Sequence, residues 1–213
     1  MRIAITQRVD HVPGYSERRD CLDQRWSALM ENLGFDLVPV SNGLKNPEQW
    51  LQRQNVSGLI LSGGNDLAHL PEAINSSPER DFTEMSLLAH AQVVRLPVLG
   101  VCRGMQMLNH YLGGRLTPVN GHAGCLHAVH SHESTDQFLG YVEVNSFHNW
   151  GMQLSDLAEC LLMQVQAFDG SIEAFTHRQL PWMGIMWHPE RPSSNLEADG
   201  QLIRHHFFKQ GPL

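Results

Sequence analysis

The sequence predicts an α/β three-layer sandwich on a central, mostly parallel sheet with an antiparallel extension. Three observations lead there. Short apolar runs alternate with stretches of helical period through the first half, loop signals follow the ends of those runs, and strand-like runs dominate the second half. Strand and helix in alternation make neighbouring strands parallel through right-handed crossovers, and ligands of such open sheets bind beyond the strand C-termini.

Ile3 to Thr6 reads as a short buried strand. Cys21 to Leu33 follows as a helix with Leu22, Trp26, Leu29, Met30 and Leu33 on one face, stopped by Gly34. Phe35 to Val40 is the next strand, and Pro47 to Gln54 opens a short helix. Val56 to Leu61 is a third apolar run and ends on the turn Ser62-Gly63-Gly64-Asn65-Asp66. Asp81 is placed to cap a helix through about Val94, with Glu84 three residues on as in a capping box. Pro97 to Val101 is another buried strand, after which Met105, Leu108, Tyr111 and Leu112 recur at helical spacing up to Gly113-Gly114. Tyr141 to Asn145, Leu161 to Ala167, Ser171 to Thr176 and Trp182 to Trp187 read as strands, and residues 195–209 as a closing helix. Repeats, charge blocks and low-complexity linkers are absent from the sequence, so one domain over 1–213 is expected.

At 213 residues and 42% hydrophobic content the chain is long enough to bury a core unaided. Lys+Arg 15 against Asp+Glu 22 gives a formal charge of -7, which removes the electrostatic basis for binding nucleic acid or an acidic membrane. Cys21, Cys102, Cys125 and Cys160 stand far apart with no CxxC, so neither a zinc knuckle nor a disulfide scaffold is suggested. A reducing, cytoplasmic setting fits that usage. The short apolar opening meets Gln7 and Arg8 at once and is too brief for a signal core or membrane span.

Chemistry concentrates at Gly100-Val101-Cys102-Arg103-Gly104, where a buried strand meets an amphipathic helix. A sharp strand-to-helix turn needs small neighbours, and it holds a nucleophile above the sheet at the positive end of a helix, where thiolate is favoured over thiol. With 18 Gly in 213 residues, glycine at both flanking positions arises by chance at about 0.7% of sites, so the motif needs corroboration. Met186-Trp187-His188-Pro189-Glu190 supplies it: an apolar run leads to an imidazole, with a carboxylate two residues on to orient it. The glycines after Ser62 let backbone N–H groups approach a developing oxyanion, with the N–H of Arg103 as the second donor. The histidines His122, His127, His130 and His132 form a dense cluster; among glycines and polar residues, a loop over the active site is the simpler account than a metal site. Trp150, beside His148, is the tryptophan best placed to line a pocket.

Taken together, Leu61 to Asp66, Arg80-Asp81 with Glu84, Pro97 to Gln106, Val144 to His148, Asp169 to Ala174 and Trp187 to Glu190 resemble, in that order, a class I glutamine amidotransferase-like hydrolase of the peptidase C26 type, in its γ-glutamyl-γ-aminobutyrate hydrolase branch. The resemblance implies a flavodoxin-like fold and a catalytic triad of Cys102, His188 and Glu190, with an oxyanion hole on the backbone of Gly64 and Arg103. It implies attack on a γ-glutamyl amide, a thioester, and release of glutamate, with no metal and no organic cofactor. Gly63, Asn65, Gln106, Asn145, Ser146, Phe147 and His148 match segments that approach the substrate, as do Ser171 to Glu173. Asn149 and Met186 depart from the branch, where His-Gln commonly follows Ser-Phe-His and Gln precedes Trp-His-Pro-Glu; the departures bear on the leaving-group side. The opening Ile5-Thr6-Gln7-Arg8, with Arg18 and Arg19, resembles smaller relatives from surface-polysaccharide clusters, which act on γ-glutamyl groups joined to a nucleotide phosphoramidate. Arg8, Arg18 and Arg19 would meet a phosphate there, or else are solvated charges. The expected partner is therefore a small γ-glutamyl substrate, with a protein partner or homo-oligomer left open. The competing readings are a glutaminase subunit that passes ammonia to a synthase and a non-catalytic binding protein; no synthase domain accompanies the motifs in these 213 residues, which favours the stand-alone enzyme, and the complete Cys102, His188 and Glu190 set argues against a decayed site.

Overall fold

The computed structural model describes residues 1–131 and 136–208. Strand β1 (Arg2–Ile5) is followed by a hairpin of β2 (Arg8–His11) and β3 (Arg18–Cys21), then α1 (Gln24–Asn32), β4 (Asp36–Pro39), α2 (Pro47–Gln54) and β5 (Gly58–Leu61). Helix α3 (Pro78–Val94), β6 (Val98–Val101) and α4 (Arg103–Tyr111) complete the alternating half. The second half runs β7 (Thr117–Pro118), β8 (Ala123–Ser131), β9 (Glu143–Phe147), β10 (Trp150–Gly151), β11 (Leu161–Ala167), β12 (Ile172–His177), β13 (Trp182–Ile185) and α5 (Leu196–Phe208).

The nine-stranded sheet has the order β4-β1-β5-β6-β13-β12-β11-β8-β9. Pairings from β4 through β13 are parallel, and those from β13 to β9 are antiparallel. Side-chain alternation divides the core into two layers. Ile3, Ile5, Ile60, Leu99 and Val101 face α1 and α5, packing with Trp26, Met30, Ile203 and Phe207. Ala4, Leu59, Leu61 and Val98 face the other way, onto Leu51, Leu87, Leu88 and Leu108 of α2, α3 and α4. The predicted sandwich with its antiparallel extension is the observed architecture. No helix among the described residues is long and apolar enough to cross a membrane, and all four cysteines are free.

Several boundaries differ from the sequence expectation for identifiable reasons. Cys21 does not start α1; it pairs with Arg8 in the hairpin, and Asp23 caps the helix by accepting from the Arg25 N–H. Helix α3 starts at Pro78, capped by Ser77, whose side chain accepts from the Arg80 N–H. Asp81 is therefore not the cap but lies in the first turn, where it accepts from the Ala68 N–H at 2.8 Å. Ala123–Ser131, within the stretch expected as a loop, is strand β8, because β9 pairs with its first part and β11 with its last. Strand β9 is shifted two residues onward, to Glu143–Phe147. The last residue of the expected closing helix, Lys209, and His132 lie outside the described residues.

Asp199 sits buried between α5 and the sheet, accepting from Tyr141 Oη at 2.8 Å and Trp187 Nε1 at 2.9 Å. Burial pushes its carboxyl up to about 6 from 3.8, against the pull of those two donors. The folded state then binds this proton more tightly than the unfolded state, so stability falls as pH rises from about 4 through 6, by up to about 3 kcal/mol. Asp199→Asn keeps an acceptor for both donors and removes the charge. It is expected to raise the melting temperature at pH 8 while leaving it nearly unchanged at pH 4; an unchanged or lower value at pH 8 would contradict this account.

Candidate active site

The turn from β6 into α4 is made by one residue. Cys102 has φ 53 and ψ -109, a conformation that costs a non-glycine residue about 1–3 kcal/mol. Its N–H donates to the Ile185 carbonyl at 2.8 Å, and its own carbonyl accepts from the Gln106 N–H at 3.1 Å. The flanking glycines follow from close packing. A Cβ at Gly104 would lie 2.0 Å from the Leu61 carbonyl oxygen of β5, and one at Gly100 would lie 2.6 Å from the Gly104 oxygen. Only glycine at both positions lets α4 start this close to the two strands beneath it.

Strand β13 pairs with β6 in the register Ile185↔Val101, which brings the chain after it alongside Cys102. His188 lies three residues beyond the strand end, not on it. Its backbone is held at both poles by Asn145 of β9, whose Oδ1 accepts from the His188 N–H at 2.9 Å and whose Nδ2 donates to the His188 carbonyl at 3.0 Å. The ring Nδ1 meets Glu190 Oε1 at 2.8 Å, and the imidazole packs near-perpendicular to the Phe147 ring with centroids 5.7 Å apart. A Cβ at Gly63 would fall 2.7 Å from His188 Cε1 and 3.6 Å from Cys102 Cβ, so glycine loop, imidazole and thiol converge. Burial alone would depress the imidazole; the Cys102 sulfur and the Glu190 carboxylate outweigh it and hold His188 up at about 9.

Beneath the loop is a buried ion network. Arg80, Glu84 and Arg103 are all less than 2% exposed. Arg80 donates to the carbonyls of Ser62 at 2.6 Å, Gly63 at 3.0 Å and Gly64 at 2.5 Å, and through Nε to Glu84 at 2.9 Å. Glu84 also accepts from Thr6 Oγ1 at 2.7 Å and from Arg103, which reaches Asp81 as well. Burial and the neighbouring Arg103 pull Arg80 down to about 10, which leaves it protonated at neutral pH. Burial opposes ionisation of Glu84, but Arg103 and Arg80 hold its carboxyl below the ordinary range.

Two cavities open on Cys102. One, of about 130 Å3, is lined by Arg8, Asp23, Trp26, His188, Glu190 and Arg191 among others. The second, of about 270 Å3, has Asn65, Asn75, Arg103, Gln106, His148 and Trp150 in its wall. Gly64 and Phe147 border both, and Gly63 borders the first.

Two of the residues expected near the substrate, Asn145 and Ser146, line neither cavity. Asn145 positions His188, and Ser146 Oγ donates to the His122 carbonyl at 2.6 Å. Ser171 and Glu173 lie outside both walls too. Arg8 is in the first wall and pairs with Asp10 at 3.0 Å, while Arg18 pairs with Glu79 and Arg19 with Glu17. Sequence reasoning missed Asp23 and Arg191 in that wall. It also missed the hold of Arg80 on the glycine loop, for which the signal was a basic residue in the same acid-bearing turn as Asp81 and Glu84.

A model of the peptidase C26 family matches residues 3–190. The γ-glutamyl-CDP-amidate hydrolase of Campylobacter jejuni subsp. jejuni is 34% identical over 198 residues, covering 90% of each chain. The carbamoyl phosphate synthase small chain of Nitratidesulfovibrio vulgaris is 34% identical over 171 residues, which is 78% of this chain and 40% of that one. A glutamine amidotransferase from Thermotoga maritima superposes with TM-score 0.66 at 15% identity, covering 100% of this chain and 86% of that one. Those similarities agree with the observed sheet architecture, and the chain belongs to the peptidase C26 family on a class I glutamine amidotransferase fold.

Proposed function

We propose that this protein hydrolyses a γ-glutamyl amide through a thioester on Cys102. The observation that carries the reading is His188, held between the Cys102 sulfur and the Glu190 carboxylate at a strand-to-helix turn. The thiolate attacks the γ-carbonyl carbon, with His188 holding the thiol proton. Collapse of the tetrahedral intermediate breaks the C–N bond, and His188 gives that proton to the departing nitrogen. Water then attacks the thioester, His188 takes its proton, and the C–S bond breaks to release glutamate and the thiolate. Glu190 orients the imidazole by accepting from Nδ1.

The oxyanion donors in this reading are the N–H groups of Gly64 and Arg103. Because Arg80 draws the Gly63 carbonyl to one side, the trans peptide turns the Gly64 N–H to the other. That orientation is set before substrate arrives, as oxyanion stabilisation requires. In the larger cavity, Gln106, whose Nε2 is held by the Trp150 carbonyl, offers its Oε1 to the glutamyl moiety.

The leaving group is proposed to be anionic, of the γ-glutamyl-CDP-amidate kind. Arg8 and Arg191 face the cavity on the His188 side, and the relative that matches nine-tenths of this chain carries that activity in its name. Arg191 stacks on Phe147 at 3.8 Å, which fixes its guanidinium at the rim. A glutaminase subunit supplying ammonia to a synthase is the second reading, favoured by the match to carbamoyl phosphate synthase small chains.

Glutamate release from γ-glutamyl-CDP-amidate, γ-glutamyl-γ-aminobutyrate and L-glutamine separates these readings. Turnover of the first without any added protein is expected; turnover of glutamine alone, and only with a synthase present, would replace the hydrolase reading. Arg8→Ala and Arg191→Ala are each expected to raise KM for the anionic substrate about tenfold while sparing L-glutamine; equal losses on both substrates would remove the anionic leaving group. The rate should fall as pH rises through about 9, where the His188 imidazolium that protonates the leaving nitrogen is lost. That limb belongs to the Cys102/His188 pair.

A further inference from the structure

Behind the larger cavity, side chains from three separate segments converge: His122 just before β8 and His127 within it, His148, and Glu173 from β12. His122 and His148 are 4% exposed and Glu173 0%. The ring nitrogens His122 Nδ1, His127 Nε2 and His148 Nε2 have no hydrogen-bond partner, and neither do the two Glu173 oxygens. His122 Nδ1 and His148 Nε2 each lie 3.8 Å from Glu173 Oε1, and His127 Nε2 lies 3.4 Å from Oε2.

The opposite ring nitrogens fix the tautomers. His122 Nε2 is 2.8 Å from Asp169 Oδ2, and His148 Nδ1 is 2.9 Å from the Trp150 carbonyl. Both partners are acceptors, so the bonded nitrogens carry the protons and the free nitrogens in neutral rings present lone pairs. Those lone pairs face carboxylate oxygens across the buried gap, an arrangement that is repulsive until a cation stands between them. A proton would serve only by drawing nitrogen and oxygen to about 2.7–2.9 Å, the length of a charge-assisted hydrogen bond. The observed separations of 3.4–3.8 Å instead lie at or up to about 0.5 Å beyond the roughly 3.3–3.4 Å edge of a tetrahedron with bonds of about 2.0–2.1 Å, as zinc makes to nitrogen and oxygen, so the ligands would close slightly on the ion.

We propose that His122, His148 and Glu173, whose ligand atoms all lie within 4.8 Å of one another, bind one zinc-class divalent cation, and that binding draws in His127, which stands outside that group, as the fourth ligand. The set of three imidazoles and one carboxylate suits a borderline first-row metal. Asp169 and the Trp150 carbonyl supply the outer contacts that orient histidine ligands at such sites. Four protein ligands, three of them more than nine-tenths buried, would make the site closed once His127 is drawn in, hence structural and not hydrolytic. It joins β8 and β12 to the segment that carries Trp150, whose carbonyl also accepts from Gln106 Nε2 at 2.8 Å. The metal would thereby fix one wall of the larger cavity from behind. Sequence alone favoured a loop over a metal site at the His122–His132 cluster, because nothing in the spacing shows that His148 and Glu173 join His122 and His127.

Metal content tests this independently of any substrate. Cys102→Ser protein, which lacks the other thiol–imidazole pair able to take zinc, is stripped with chelator, incubated with Zn2+ or Co2+, desalted and analysed by mass spectrometry. One retained equivalent is expected, together with a rise in melting temperature and, for Co2+, the visible absorption of a four-coordinate site without a sulfur charge-transfer band. His148→Ala and Glu173→Gln should abolish retention. Asp169→Asn, at a half-exposed position that does not threaten folding, should weaken binding about 10–100-fold. No retained metal, or retention undiminished in Asp169→Asn and Glu173→Gln, overturns the proposal.

Discussion

Cys102→Ala is expected to reduce γ-glutamyl amide hydrolysis by about 10^4-fold or more, because loss of the nucleophile of a triad removes both chemical steps at once. Substrate binding should survive, since the cavity walls are made by other residues. Activity within tenfold of the parent would end the thioester mechanism. The same position offers a test of the turn itself. At φ 53 and ψ -109 any side chain is strained, so Cys102→Gly should be more stable than Cys102→Ala by about 1 kcal/mol, or some 2–4 °C in melting temperature. Ordinarily the order is reversed, because glycine loses more chain entropy on folding. Calorimetry of the two inactive variants therefore reads the strain without interference from catalysis; alanine the more stable would mean that the turn is relaxed.

What was legible in the sequence was what local rules control. Val98–Val101 is uniformly buried because both faces of its strand are covered, and a run of that kind is visible as continuous apolar residues. The glycines around Cys102 stand where a Cβ would strike backbone, so their spacing carries the turn. His188 and Glu190 are two residues apart and meet directly. The hairpin of β2 and β3 was not legible, because Arg8–His11 and Arg18–Cys21 are edge segments rich in charge with almost no buried alternation. Nor was the task of Asn145, which depends on β9 lying beside the residue-188 turn, a contact between segments 43 residues apart. Resemblance placed Asn145 near the substrate; the fold gives it to the backbone of His188 instead.

Glu84→Gln is expected to be the most destabilising of the polar substitutions around the site. Glu84 is the common acceptor for Thr6, Arg80 and Arg103, and it is fully buried with both guanidinium groups. Amidation removes the negative charge and turns one acceptor into a donor aimed at a cation, leaving Asp81 as the sole nearby counter-charge to Arg103. Breaking a buried pair from one side costs about 3–5 kcal/mol, mainly through the charge left uncompensated. For a chain of this length that corresponds to a fall of roughly 6–20 °C in melting temperature. The effect should extend to catalysis. Arg80 is tied to Glu84 through Nε and to the carbonyls of Ser62, Gly63 and Gly64 through its two terminal nitrogens, so loosening the first contact frees the loop that aims the Gly64 N–H. Below the melting transition the folded fraction of Glu84→Gln should therefore show a reduced kcat with a smaller change in KM, the pattern of a group that acts in the transition state. A melting temperature within 2–3 °C of the parent would show that the network is not what holds the two arginines in place, and an unchanged kcat would separate the glycine loop from it.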